Sequence, residues 1–475
     1  MDERAQIPVS LPRANPTVSY WQDPPDALAD YCSTPDLPST ADTIIIGSGI
    51  TGAAVAWNLL QGPNPGSILM LEARQACSGA TGRNGGHTKA ASYRTFPHHV
   101  QSHGLPTAKQ IARLELRNIQ AVHAFARAHA IACDLNPCDT LDVIYDPAQW
   151  DQAVAAVAAM RDAFPGGGGG QPEPEGEGEY ELYSAEEVRA RFHEEKVQGG
   201  VGYFAGSLSA YKFGVGVLRL CVERGLNLQT GTAVTGLSKT EDGGGLWEVK
   251  TARGTVRAKR VVLATNGYTA GIWKRFQGVV VPLRGQVTAQ RPGRGMPGKG
   301  CLERTYSFIY EKGYEYMVSR PEGSRFAGDI VMGGGLVRAP DDGLMEFGTT
   351  DDSTVNEEIS EYLRETTGRY FGPDWGEDDP EGRVRSEWTG IMGFSPDGFP
   401  LVGEVPGEQG LWASCSFQGH GMVLCWMCAR ALVEMMEGGD GEDLREWFPD
   451  AFRITEARLA QRFQGRLDAI PKTDE

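Results

Sequence analysis

The chain has no run of 18 or more apolar residues, so no segment is expected to span a membrane. Its first residues, Met-Asp-Glu-Arg-Ala-Gln, lack the apolar core of a secretory signal, and its last, Pro-Lys-Thr-Asp-Glu, match no retention or peroxisomal tail. Basic residues are outnumbered, 45 against 62, for a net charge of −17. That excludes nucleic acid or an anionic membrane surface as the main partner, although a local basic pocket stays open. The nine cysteines are odd in number and scattered, which suits a reducing, cytoplasmic setting better than a disulfide framework. Cys425 and Cys428 form a lone C-x-x-C inside an apolar, helix-like run and read as packed thiols. Histidine is equally sparse. His98, His99 and His103 lack a fourth ligand at suitable spacing and read as a solvated loop before the first long helix, so no metal is expected.

What is present centres on residues 43–72. A β-branched run, Thr43 to Ile46, ends in Gly47, Gly49 and Gly52, spaced as G-x-G-x-x-G. Ala53, Ala54, Ala56 and Leu59 follow as a helix, stopped by Gly62-Pro63-Asn64-Pro65. Ser67 to Leu71 reads as a second buried strand ending at Glu72. Gly47 permits a tight turn, Gly49 lets a pyrophosphate approach the backbone, and Gly52 lets the helix pack close to the strand. With Ser48, Ile50 and Thr51 they form a helix N-terminus suited to an anion. Glu72, 20 residues beyond Gly52, is placed to accept hydrogen bonds from ribose hydroxyls. A dinucleotide site is therefore expected.

Next comes Ala73-Arg74-Gln75-Ala76-Cys77-Ser78-Gly79-Ala80-Thr81-Gly82-Arg83-Asn84-Gly85-Gly86-His87, too rich in glycine and small polar residues for a core element. Such a backbone can bend around a flat or anionic ligand. Ser78 and Thr81 can hydrogen-bond phosphate, and Arg83 can neutralise it.

The runs "IIIGSGITG" and "LEARQACSGATGRNGGH" together resemble the D-amino-acid oxidase superfamily of FAD-dependent oxidoreductases, especially the branch with gamma-glutamylputrescine oxidase and related amine oxidases. The resemblance implies FAD, with Ala73, Arg74, Ser78, Gly79, Ala80, Thr81, Arg83, Asn84, Gly85, Gly86 and His87 along the pyrophosphate and toward the isoalloxazine. It places Ala233 and Val234 on the adenine side, and Ala264, Thr265, Asn266 and Gly267 beside the dinucleotide. Gly419, His420, Gly421 and Met422, before an apolar helix, would meet the flavin, with Met392 and Phe394 along its face. His420 is the candidate catalytic residue. Tyr314, Arg338 and Trp388, with Arg284, are candidates for the substrate pocket. Some relatives link FAD through a cysteine seven residues before a Pro-Asp aspartate. Counting back from Asp397 gives Gly390, so non-covalent FAD is expected.

The expected fold is α/β, a Rossmann-like FAD domain (41–105, 206–275 and 380–440) with a second mixed-sheet substrate domain (106–205 and 276–379). An arm (1–40), a Gly/Pro/Glu-rich insertion (165–181) and a helical tail (441–475) complete it. Trp388 to Pro400 reads as turn-rich. The implied reaction is oxidation of an amine or amino-acid C–N bond by hydride transfer to flavin N5, giving an imine that water hydrolyses, with O2 reduced to H2O2 or another acceptor used instead. No dedicated general base is required. A nicotinamide dehydrogenase would not need the second Gly-rich loop, and a non-catalytic flavin-binding protein is the other alternative. The sequence specifies no oligomeric state.

Overall fold

The computed structural model describes residues 1–165, 179–192, 196–240 and 245–467, so most of the expected 165–181 insertion lies outside the described residues. Two mixed sheets of eight strands each organise the chain. In the first, Thr40–Ile46 sits centrally, parallel to Ile68–Leu71 on one side and Gly254–Leu263 on the other. Asn227–Gln229 extends one edge in parallel. Leu411–Cys415 and Leu401–Glu404 extend the other edge, parallel and then antiparallel. Ile44, Ile45, Met70, Val261, Val262 and Leu263 are inaccessible, as strands covered on both faces require. The strand Gly254–Leu263 is long enough to serve two neighbours. Its first half pairs with Trp247–Thr251 and its second with Leu411–Cys415.

The second sheet runs Val384–Phe394, Val281–Gln290, Ile330–Gly334, Tyr314–Ser319, Thr305–Ile309, Asn136–Ile144, Gly199–Ser207, Glu181–Ser184. Val384–Phe394 corrects the turn-rich reading of Trp388 onward: it pairs antiparallel with Val281–Gln290 along its whole length. Its glycines, which read locally as turn residues, make room for neighbours. A side chain at Gly390 would lie 2.9 Å from Arg83 Cβ, and one at Gly393 2.8 Å from Asn266 Oδ1. The span 380–440 is thus shared between the two sheets.

The long helical segment Ser92–Ala128 is broken at Gly104 (φ 79°, ψ 160°), between Pro97 and Pro106. Its first half contains His98, His99 and His103, which corrects their reading as a solvated loop. His99 is buried, its ring 5.2 Å from that of Phe399, and burial drives its pKa down to about 3. Among the described residues no cluster of three or more His, Cys, Asp or Glu could hold a metal, and no helix is long and apolar enough to cross a membrane. The first 40 residues are more than a surface arm: Tyr20, Trp21 and Leu28 enter the largest apolar core.

Candidate functional site

The strand–turn–helix forms as its glycines demand. Gly47 has φ 103°, and a side chain there would lie 2.5 Å from the Ala264 carbonyl oxygen. A side chain at Gly52 would lie 2.0 Å from Gly47 O, so helix Ile50–Leu60 packs directly on the turn. Gly49 caps that helix without a side-chain hydrogen bond, and Ile50 N–H donates to Thr81 Oγ1 at 2.9 Å. The remaining first-turn amides lack partners within the helix. Glu72 is nearly buried; Ser48 N–H and Oγ–H donate to its Oε2 at 3.0 and 2.6 Å, and Arg74 N–H to its Oε1 at 2.9 Å. Thr232 N–H donates to Glu72 O, bringing the stretch before Ala233 alongside. The Ser78 hydroxyl is buried with no hydrogen-bond partner, and the position of a Gly79 Cβ is open space.

The distant segments converge beyond this turn. Asn266, itself at φ 44°, accepts the amides of Ser416 and Phe417 on Oδ1 at 3.1 and 3.3 Å. A Cβ on Gly267 would lie 2.4 Å from Met392 O, and one on Gly419 3.3 Å from Met392 Sδ. Residues 264–267, Met392 and the Ser416–Met422 turn therefore meet at one place. Ser416, Gln418 and Gly419 all have positive φ, which is strained at the two non-glycine positions. Asn84 Nδ2 donates to Met422 Sδ at 3.6 Å, joining the Gly-rich loop to this turn. Further along that loop, Gly86 accepts from Leu208 N–H and Thr88 N–H donates to Gly206 O, while His87 Nε2 lies 2.7 Å from Thr305 Oγ1. Gly85 lies flat against Tyr316 of the second sheet; a Cβ there would be 2.1 Å from the ring.

His420 keeps accessible surface on this turn. Burial first, then the charges of Arg466, Arg94 and Lys89, lower its pKa to about 4 and hold the imidazole neutral. Lys89 is ion-paired with Asp142 and donates to Ser307 Oγ at 2.6 Å. Tyr93 and Tyr203 each donate to Asp142 Oδ2 at 2.9 Å. Arg94 and Arg466 have no carboxylate partner among the described residues. Two cations without a carboxylate partner thus bear on His420 in a chain of net charge −17.

Several expected site residues stand elsewhere. Arg83 does not present a free charge: it donates to Ser78 O, Thr389 O, Thr17 O and Thr17 Oγ1 and thus staples the loop. Arg74 is committed to Asp352 at 2.9 Å and to Ser78 O. Trp388 is wholly buried, its indole N–H donating to Arg83 O at 2.8 Å, so it supports the loop from beneath. Arg338 is exposed over the Tyr362 ring at 4.3 Å. Arg284 is paired with Glu346 at 2.6 Å. The Val234 side chain packs in the apolar core with Trp247. Tyr314 is half-buried at the start of its strand, with the Arg466 guanidinium 5.8 Å from its ring centroid.

Sequence reasoning missed Asn118, Lys89, Asp142, Arg94 and Arg466. Lys89 and Arg94 follow the Gly-rich loop directly and carry charge near it, a local signal that was available. Arg466 and Asn118 reach the site only through folding.

Residues 42–435 match the family model described as DAO, FAD dependent oxidoreductase. The chain is 24% identical to a probable oxidoreductase OrdL of Rhizobium meliloti over 405 residues, 85% of this chain and 84% of that protein. It is 21% identical to gamma-glutamylputrescine oxidoreductase of Escherichia coli over 427 residues, 89% of each. The fold is similar to that of glycine oxidase from Geobacillus kaustophilus, with TM-score 0.66 and 18% identity over 88% of this chain and 99% of that one.

Proposed function

Given that the chain belongs to the DAO family of FAD-dependent oxidoreductases, its model matching residues 42–435, we propose that it oxidises the C–N bond of an amine or amino acid, with O2 as acceptor. The single observation that carries an anionic substituent on that substrate is the pair of cations Arg94 and Arg466 bearing on His420 without a carboxylate partner among the described residues.

The residues present fit FAD. The uncapped start of helix Ile50–Leu60, the orphaned Ser78 hydroxyl and the open space at Gly79 suit a pyrophosphate. Glu72 stands at the end of its strand for the ribose. The Gly-rich loop and the Gly419–Met422 turn would hold the rest, without a covalent link at Gly390. When bound, FAD supplies the two-electron acceptor for a substrate hydride, and O2 restores it with release of H2O2.

This chain's own groups then orient and desolvate. Arg94 and Arg466 attract an anionic substituent, which fixes the direction of the α-C–H bond. His420, being neutral, accepts or donates a hydrogen bond without repelling a neutral amine. Lys89 has its charge balanced by Asp142 and serves as a fixed donor. The two-electron loss from the C–N bond leaves an imine, which water hydrolyses to a carbonyl compound and ammonia or a smaller amine.

The test is the purified yellow protein mixed without oxygen with a panel of amines and amino acids. Bleaching of the flavin by a member of the panel, followed by peroxide release on admitting air, is expected. Absence of bleaching by every amine, with bleaching by a hydroxy acid, would overturn the reading. Bleaching without peroxide in air would replace O2 by another acceptor and favour a dehydrogenase.

A further inference from the structure

The family-matched span begins at residue 42, yet the Gly-rich loop is gripped from the segment that precedes it. Ala76 N–H donates to Ala29 O at 2.9 Å, and Arg74 Nη1 to Arg13 O at 3.2 Å. The carbonyls of Gly82, Arg83 and Asn84, consecutive in the loop, each accept a side-chain donor. Ser19 Oγ–H takes the first, the Trp388 indole the second at 2.8 Å and the Trp21 indole the third at 2.6 Å. Their peptide planes are thereby fixed from outside the loop.

Thr17 is the hub of this grip. Its Oγ1 spends its one donor on Asp352 O at 3.0 Å and accepts from Arg83 Nη1 at 3.1 Å and from Thr389 N–H at 3.0 Å. Its carbonyl accepts Arg83 Nη2 at 2.7 Å, and its N–H donates to Asp352 O at 2.7 Å. Asp352 is wholly buried and paired with Arg74 at 2.9 Å, and Thr389 lies on the strand Val384–Phe394 that bears Met392. One residue thus ties the Gly-rich loop to the second sheet.

The stretch around Thr17 has little else to hold it. Val9 is buried at one end of it and Ser19, Tyr20 and Trp21 at the other. Between them, residues 10–18 form neither helix nor strand and none is buried; Val18 is 73% exposed. A segment held by hydrogen bonds with almost no apolar burial opens locally at low cost, while its anchored ends stay in place.

We propose that residues 10–18 are a clasp on the cofactor loop: they lift to admit FAD, and Thr17, closing on Arg83, sets how slowly FAD leaves. This rests on the fit of FAD to the Gly-rich loop described above and is independent of the substrate oxidised.

Two measurements on the full chain test it, both without substrate. In the first, trypsin cuts the Arg13–Ala14 bond only when the Arg13 carbonyl is freed from Arg74, and Lys299 serves as an exposed control site. Cleavage at Arg13 is expected to be about tenfold slower in FAD-loaded than in FAD-free protein, with cleavage at Lys299 unchanged. In the second, FAD release is followed by the rise of flavin fluorescence after dilution. Thr17→Val keeps the shape of the side chain, the Arg83 bond to Thr389 O and the N–H bond to Asp352 O, so the protein should fold. It should lose FAD about tenfold faster than the wild type, the rate equivalent of about one hydrogen bond, and Thr17→Ser should restore slow release. Equal cleavage at Arg13 with and without FAD would overturn the proposal. So would wild-type release of FAD from Thr17→Val, or fast release that Thr17→Ser does not slow.

Discussion

Asn118 holds Met422 directly: its Nδ2 donates to the Met422 carbonyl at 3.0 Å, while its Oδ1 accepts the Met427 amide at 3.0 Å. The side chain is wholly buried on helix Ser92–Ala128 and caps the first turn of helix Cys425–Met436 from outside. It fixes the end of the turn that carries His420. Asn118→Ala would leave a buried amide and carbonyl unsatisfied, at about 1–3 kcal/mol for each group left unpaired. A lower melting temperature with reduced FAD retention is expected; thermal unfolding and the ratio of flavin to protein absorbance check both. Unchanged FAD retention in a destabilised protein would confine Asn118 to packing.

The contact between Gly85 and Tyr316 predicts a coupled pair. A methyl group at Gly85 would stand 2.1 Å from the Tyr316 ring and 2.8 Å from its hydroxyl. Gly85→Ala should cost about 1–3 kcal/mol, the usual range for forced overpacking. Tyr316→Ala in the same protein should remove most of that increment, even though it carries a cavity cost of its own. A double-mutant cycle on denaturant midpoints measures the coupling; additive effects would show that the loop moves aside without loss.

The parts of this fold that were legible in the sequence are those whose cause is local. Thr43 to Glu72 read correctly because β-branched residues, spaced glycines and a terminal acid each act within a few residues. The strand Val384–Phe394 was illegible because Gly390 and Gly393 look like turn formers. Their small size matters only against Arg83 and Asn266, distant in sequence. Arg83 was misread for the same reason. In isolation it is a charge in a phosphate-binding loop, but the carbonyls of Thr17 and Thr389 consume its donors. The first half of the segment Ser92–Ala128 was hidden by Pro97, Gly104 and Pro106, which interrupt the pattern, the helical path itself breaking at Gly104. The surroundings of His420 were least legible because the charges of Lys89, Arg94 and Arg466 reach it only in three dimensions.

Glu115 sets a pH dependence of stability. Its carboxyl is hydrogen-bonded by the Ser92 hydroxyl, and burial raises its pKa from 4.5 to about 7, against the smaller opposing effect of that bond. An acid whose pKa is higher in the folded state ionises first in the unfolded state. Stability is therefore undiminished below about pH 4.5, falls as pH rises toward 7, and stays lowered above it. At about 1.4 kcal/mol per tenfold change, the full effect is at most about 3 kcal/mol. Glu115→Gln should flatten this limb and stabilise the protein at pH 8, as measured by melting temperature from pH 4 to 8. A variant that melts like the wild type across the whole range would refute the assignment.

His420 predicts the opposite sign and a silent pH profile. Burial and the neighbouring cations hold its pKa near 4, below the ordinary 6.5. Protonation is thus costlier in the folded state, so stability present above pH 6.5 is lost as pH falls toward 4. Over the range where flavin oxidation would be assayed, about pH 6 to 9, the imidazole stays neutral and contributes no step to kcat/KM. His420→Asn keeps one donor and one acceptor but cannot titrate. It should lower kcat/KM through poorer positioning while leaving the shape of the pH profile unchanged, and it should resist acid better than the wild type. A wild-type acid limb near pH 6 in kcat/KM that His420→Asn removes would mean that the histidine titrates in the free enzyme, and the pKa of His420 measured by NMR in the substrate-free protein would then lie near 6 rather than 4.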